Sequence, residues 1–132
     1  MNIAHIALWT NDLEKIKDFY IKWFGGCCNG EKYVNQKKHF ESYMIDFLSG
    51  CQLEIMRRSD VTDRKCDASI DQIGLAHFAF SAKSKEEIDQ KAAEMKKDGI
   101  KILDGPRVTG DGYYEVAISD PDENRIEISY KL

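Results

Sequence analysis

Two histidines and two glutamates stand out because each pair occupies the same place in two stretches of a 132-residue chain. His5 follows Ala4 and His77 follows Ala76. Glu54 lies between Leu53 and Ile55, and Glu127 between Ile126 and Ile128. Imidazole nitrogen and carboxylate oxygen together suit a borderline divalent cation such as Ni, Zn, Co or Mn; Ca and Mg favour all-oxygen shells. Four protein ligands leave an octahedral ion two positions for water or substrate oxygens. Two carboxylates gathered without an ion would repel, and one would keep its proton. A lone His on an apolar strand is usually a hydrogen-bonded core residue, and a lone Glu usually faces solvent. The repetition of both at matched positions is what argues for one shared metal site.

The elements that must position these residues read as one pattern written twice. His5 recurs at His77 and Ile16 at Ile88, both 72 residues on; Gly26 recurs at Gly99 and Glu54 at Glu127, both 73 on. In the first repeat, Asn2 to Trp9 alternates and is apolar on both sides, which predicts a strand with both faces covered. Asn11 as N-cap with Glu14 three residues later predicts a helix carrying Leu13, Ile16, Tyr20, Trp23 and Phe24 on its core stripe, stopped at Gly25-Gly26. Strands are expected near Glu31–Asn35, Ser42–Leu48 and Gln52–Arg57, with Ser49-Gly50 turning between the last two. In the second repeat, Gly74 to Ala82 is a strand. Ser84 and Glu87 form a capping box, Ile88, Ala92 and Met95 a stripe, and Gly99 a stop. Strands follow near Ile100–Val108, Tyr113–Ser119 and Asn124–Tyr130. Side chains alternate along a strand. Leu53, Ile55, Ile126 and Ile128 should therefore pack under the helices and leave Glu54 and Glu127 on the far, concave faces. The fold expected is α+β: two tandem βαβββ repeats, 1–57 and 74–131, forming curved mixed sheets around a metal-binding cavity within one domain, 1–132. The polar, charged segment Arg58 to Ile73 connects them.

Composition narrows the function classes. A hydrophobic content of 42% supports a packed core, and mixed charges with a net −4 give no basic face for nucleic acid. No apolar run approaches the length needed to span a bilayer. The start, Met1-Asn2-Ile3-Ala4-His5, shows no signal-like segment, so a cytoplasmic location is expected. Cys27, Cys28, Cys51 and Cys66 form no Cys-x-x-Cys pair and read as free thiols. Cys51 is placed on a strand close to Glu54. His39, among Gln36, Lys37 and Lys38, reads as a loop residue.

Ala4-His5-Ile6-Ala7, Leu53-Glu54-Ile55, Leu75-Ala76-His77-Phe78-Ala79 and Asp120-Pro121-Asp122-Glu123-Asn124-Arg125-Ile126-Glu127 resemble the vicinal oxygen chelate superfamily over essentially the whole chain. The order His, Glu, His, Glu is similar to glyoxalase I, the lactoylglutathione lyase. That resemblance implies one divalent metal ion held by His5, Glu54, His77 and Glu127. It implies isomerisation of a hemithioacetal of a 2-oxoaldehyde and a thiol, methylglyoxal–glutathione in type, to a 2-hydroxyacyl thioester through an enediolate. Glu127 or Glu54 would be the base that moves the proton. A homodimer is expected, since small relatives pair to complete their cavities. The alternatives on the same frame are an acyl-CoA epimerase, a dioxygenase, or a small-molecule-binding resistance protein without turnover. The chain departs from glyoxalase I at Trp9, where an arginine for the glutathione carboxylate is usual, and at Glu123, where glycine is usual. Thr109 to Tyr114 reads equally as a hairpin turn or a substrate lid. Arg57, Arg58 and Arg107 are candidate anion contacts that read first as surface charges.

Overall fold

The computed structural model describes residues 1–48, 50–63, 69–71 and 73–132. The chain divides into two compact units, Met1–Asp63 and Arg64–Leu132. Each runs strand, helix, then three strands, and each forms one four-stranded mixed sheet. The α+β reading as two βαβββ modules holds.

The first unit comprises β1 (His5–Trp9), α1 (Leu13–Phe24), β2 (Tyr33–Asn35), β3 (Phe40–Asp46) and β4 (Gln52–Arg58), with a 3₁₀ turn at Gln36–Lys38. The sheet order is β1-β4-β3-β2, and only β1 and β4 run parallel. Helix α1 starts one residue later than the sequence suggests. Asp12, not Asn11, is the N-cap, its carboxylate accepting from the Lys15 amide at 3.1 Å. The Asn11 amide is committed elsewhere, donating to Asp63 Oδ1 at 2.5 Å. The buried stripe is Leu13, Ile16, Phe19, Tyr20 and Trp23. Phe19 therefore joins the core, and Phe24, which ends the helix at the left-handed Gly25, is only half-buried. Under α1 lie Leu53 and Ile55, which are buried as alternation requires. Burying each such side chain contributes roughly 1.5–3 kcal/mol.

The second unit comprises β5 (Phe78–Ser81), α2 (Lys85–Lys97), β6 (Ile102–Val108), β7 (Tyr113–Ser119) and β8 (Arg125–Lys131), in the order β5-β8-β7-β6. Ser84 Oγ accepts from the Glu87 amide at 3.2 Å. The reciprocal bond falls on the neighbouring amide, Lys83 N to Glu87 Oε2 at 2.7 Å. Ile88, Ala92 and Met95 of α2 are buried, as are Ile126 and Ile128 of β8 beneath it. The strands β6 and β7 slip register at a bulge where Gly105 takes φ +79 and approaches the Glu115 carbonyl. The turn into β8 is organised by the buried Asp120. Its carboxylate accepts from the amides of Asp122 and Asn124, at 3.0 and 2.7 Å, and from the Asn124 side chain at 2.8 Å. Glu123 stands there with φ 62, the left-handed conformation that explains why glycine suits this position.

Both first strands are shorter than expected. The ladder of β1 begins at His5, and that of β5 at Phe78, one residue after His77. The alternation of β1 is also one-sided: Leu8 is buried while Ala7 and Trp9 are exposed, so only one face is covered. Cys51 precedes β4 instead of lying in it; its thiol donates to the Gln52 carbonyl at 3.6 Å. Cys27, Cys28 and Cys51 are free thiols. Ser49 of the expected turn, Cys66 and part of the connecting segment lie outside the described residues.

Candidate metal centre

The duplicated sequence becomes duplicated register. In the first unit Ala7 of β1 pairs with Glu54 of β4; in the second, Ala79 of β5 pairs with Glu127 of β8. Each histidine lies two residues before that alanine and so shares its face of the sheet. Each unit thereby brings one imidazole beside one carboxylate, on the sheet face opposite its helix. His77 Nε2 lies 3.0 Å from Glu127 Oε2, and His5 Nε2 lies 3.9 Å from Glu54 Oε2.

These pairs fit a metal ion in donor chemistry and spacing. Ligands at about 2.1 Å from an ion, at right angles to one another, stand about 3.0 Å apart. The His77–Glu127 pair already has that separation. The His5–Glu54 pair is wider, and both its side chains retain solvent-exposed freedom to close. Within neither unit do three or more His, Cys, Asp or Glu side chains gather around one point, among the described residues. Each unit holds two donors.

The surroundings of the two carboxylates differ. Glu127 is buried and receives Arg125 Nε at 3.5 Å as well as His77. On the same face, Glu115 of β7 stands opposite Ser129, a diagonal neighbour of Glu127. Burial, and then the charge of Glu127, push the Glu115 carboxyl above the usual carboxylate range; Arg107, 3.8 Å away, pulls the other way. The sequence reading passed over Glu115. Alternation along Tyr113–Ser119 gives its face, but only strand pairing shows that this face carries Glu127.

The other candidates are accounted for. Arg57 meets Glu41 at 2.8 Å, Arg58 meets Asp60 at 2.5 Å, and Arg107 meets Asp104 at 2.5 Å. Thr109 to Tyr113 is a hydrogen-bonded hairpin turn, closed by Thr109 N to Tyr113 O at 2.8 Å and by Tyr113 N to Thr109 Oγ1 at 3.0 Å. Tyr114 faces away, donating to Asp89 of α2 at 2.6 Å. His39 follows the 3₁₀ turn with φ 50. No described helix is long and apolar enough to cross a membrane.

Residues 2–128 match the family model of the Glyoxalase/Bleomycin resistance protein/Dioxygenase superfamily. The chain belongs to that superfamily. The glyoxalase-type fold recurs in solved structures. A glyoxylase/bleomycin resistance protein/dioxygenase domain from Frankia sp. EAN1pec superposes with a TM-score of 0.82 at 15% identity, covering 100% of this chain and 98% of that one. The trypanothione-dependent glyoxalase I of Leishmania major gives 0.74 at 21% identity, covering 97% and 85%. At such identities the likeness is one of fold. Uncharacterized protein YqjT of Bacillus subtilis (strain 168) is 37% identical over 60 residues, 43% of this chain. That match spans 47% of the Bacillus protein, about half its length.

Proposed function

We propose that this glyoxalase-superfamily protein is a metal-dependent lyase of the glyoxalase I type. Its substrate would be a hemithioacetal formed from a 2-oxoaldehyde and a thiol, and its product a 2-hydroxyacyl thioester. The observation that carries the reading is the same His–Glu pair at the same strand register in both units. A structural histidine or a surface glutamate has no reason to recur with its partner at matched positions. His5, Glu54, His77 and Glu127 would together hold one divalent ion, whose Lewis acidity stabilises negative charge on the substrate oxygens.

The chain's own groups then divide the work. A carboxylate beside the substrate carbon takes its proton and returns it to the neighbouring carbon. Glu127 is our first candidate for that carboxylate because it is mostly withdrawn from solvent and is held in place by His77 and Arg125 against it. Glu54, more exposed and set at 3.9 Å from its histidine, is the symmetric candidate. We further propose a cytoplasmic homodimer acting on methylglyoxal adducts.

Elemental analysis of purified protein, followed by a methylglyoxal–glutathione assay across Ni, Co, Zn and Mn, tests the proposal. About one ion per chain with thioester formation is the expected result. Metal without turnover moves the substrate to another thiol adduct, CoA ester or diol. No metal under any loading condition overturns the metal reading.

A further inference from the structure

The first unit carries a pocket of about 790 Å³ that the His5–Glu54 pair does not line. That volume lies within the roughly 300–1,000 Å³ typical of small-molecule sites. Phe40 stands opposite both Asn35 and Arg58, so these three share one face of the sheet, while Glu41 and Arg57 lie opposite one another on the other face. Both groups line the pocket, together with Gln36, His39 and Ser59 from the segments just beyond the strands. The pocket therefore wraps the ends of β2, β3 and β4, where the two faces of the sheet meet.

Two features give the pocket a chemistry. The first is unused capacity to bind an anion. Arg58 engages Asp60 through Nε alone, at 2.5 Å, and Asp60 keeps 68% of its side chain in solvent, so the pair is a weak surface one. The two terminal nitrogens of Arg58 make no hydrogen bond among the described residues. The His39 imidazole likewise has no hydrogen bond or ion pair among them, and its backbone sits at φ 50, a conformation costly to a non-glycine residue. The lining carboxylate Glu41 is met by both Arg57 at 2.8 Å and Lys32 at 3.4 Å, so its charge does not oppose an anion. Exposed Lys37 and Lys38, in the turn between Gln36 and His39, add local positive charge to a chain of net −4. The second feature is neutral hydrogen-bonding capacity. The side chains of Gln36 and Ser59 make no hydrogen bond among the described residues, and a carboxamide and a hydroxyl each both donate and accept. Phe40 is the aromatic residue of the lining and is half-buried, so the wall offers polar groups more than rings.

We infer that this pocket binds a phosphomonoester carried on a hydroxyl-bearing body, a sugar phosphate in class. Arg58 and His39 meet the phosphate, and Gln36 and Ser59 meet the hydroxyls. A guanidinium with free terminal nitrogens matches the geometry of phosphate oxygens, and the basic surroundings attract a dianion more than a monoanion. A phosphate ion takes the room of only a few waters, at about 30 Å³ each, so the rest of the pocket calls for the organic body. This ligand site is additional to the reaction proposed above. Binding there needs only the first unit's side chains and no metal ion.

Calorimetric titration of the full, metal-free chain with ribose 5-phosphate, in a buffer without phosphate or sulfate, is the test. Saturable one-to-one binding is expected. Ribose, which lacks the phosphate, and inorganic phosphate, which lacks the body, should each bind at least about tenfold more weakly. Arg58→Gln should weaken ribose 5-phosphate about tenfold, the loss of one charge-assisted hydrogen bond, and Arg58→Lys less. His39→Asn keeps a residue that tolerates the left-handed backbone and should weaken binding about threefold. Lys97→Gln removes the same charge from α2 in the second unit and should leave the Kd unchanged. Arg58 is half-exposed, and far-UV circular dichroism checks that its variants fold. No saturable binding, an unchanged Kd in Arg58→Gln, or an equal loss in Lys97→Gln would overturn the inference. So would ribose or inorganic phosphate binding as tightly as ribose 5-phosphate.

Discussion

If one ion is shared by both His–Glu pairs, removing either histidine must weaken the same ion. Four-ligand protein zinc sites bind with roughly 10–16 kcal/mol, so one ligand carries about 3–4 kcal/mol, or roughly 10²–10³ in Kd. The structure ranks the two variants. His77 and Glu127 are already at the 3.0 Å spacing of neighbouring ligands, and the Glu127 side chain is only 11% exposed. His5 and Glu54 stand at 3.9 Å, and the Glu54 side chain is 23% exposed, so that pair spends binding energy on closing by about 0.9 Å. His77→Ala should therefore fall at the upper end of the range and His5→Ala at the lower. Both histidines keep 40% or more of their side chain in solvent, so neither truncation should cost the fold more than about 0.5 kcal/mol. Competition of zinc against a chromophoric chelator gives the two Kd values, and elemental analysis gives the count. A His77→Ala Kd within threefold of the parent would refute the ligand assignment. So would a parent that binds two ions, of which His5→Ala loses one and keeps the other unchanged; the pairs would then be separate sites.

Three further outcomes follow from packing and electrostatics. Gly105→Ala meets both a left-handed φ and a Cβ 2.5 Å from the Glu115 carbonyl, whereas Gly112→Ala, at φ +91, meets nothing within 4 Å. Urea denaturation should show a loss of about 3 kcal/mol for the first and about 1 kcal/mol for the second; equal losses would remove the close approach as a cause. The Glu115 carboxyl is raised by burial and by Glu127, so its stabilising contribution is full below the unfolded carboxylate pKa of about 4.3 and is lost as pH rises through its folded value. Metal-free Glu115→Gln should accordingly melt above the parent at pH 7, with the gap closing toward pH 4; a gap independent of pH counts against the reading. Ile55→Ala, at a wholly buried site under α1, should cost roughly 2–5 kcal/mol by denaturant midpoint, and a cost below about 1 kcal/mol would show that α1 does not pack there.

Much of this molecule was legible because its signals are local or repeated. Alternation placed Leu53, Ile55, Ile126 and Ile128 under helices and turned Glu54 and Glu127 the other way, as the burial of those isoleucines and Leu53 confirms. Helical spacing found the Ile88, Ala92 and Met95 stripe, and the capping box found Ser84. Where two neighbours compete for one local role, the sequence was ambiguous. Asn11 and Asp12 are both good caps, and the choice fell to Asp12 once Asp63, 52 residues away, engaged the Asn11 amide. Strand ends were overrun for a similar reason: an apolar alternation continues past the point where a partner strand stops, as before His5 and Phe78.

The chain by itself thus determined the duplicated βαβββ pattern, the faces of its strands and the two His–Glu pairs as candidate ligands, because side-chain periodicity and repetition are properties of sequence. Tertiary structure decided what faces what: the matched registers of Ala7 with Glu54 and Ala79 with Glu127, the carboxyl of Glu115 near Glu127, and the pocket that gathers His39, Phe40 and Arg58. These are juxtapositions of residues on different strands and turns. Hydrogen-bonded pairing of backbones sets them, and no spacing along a single segment encodes that pairing.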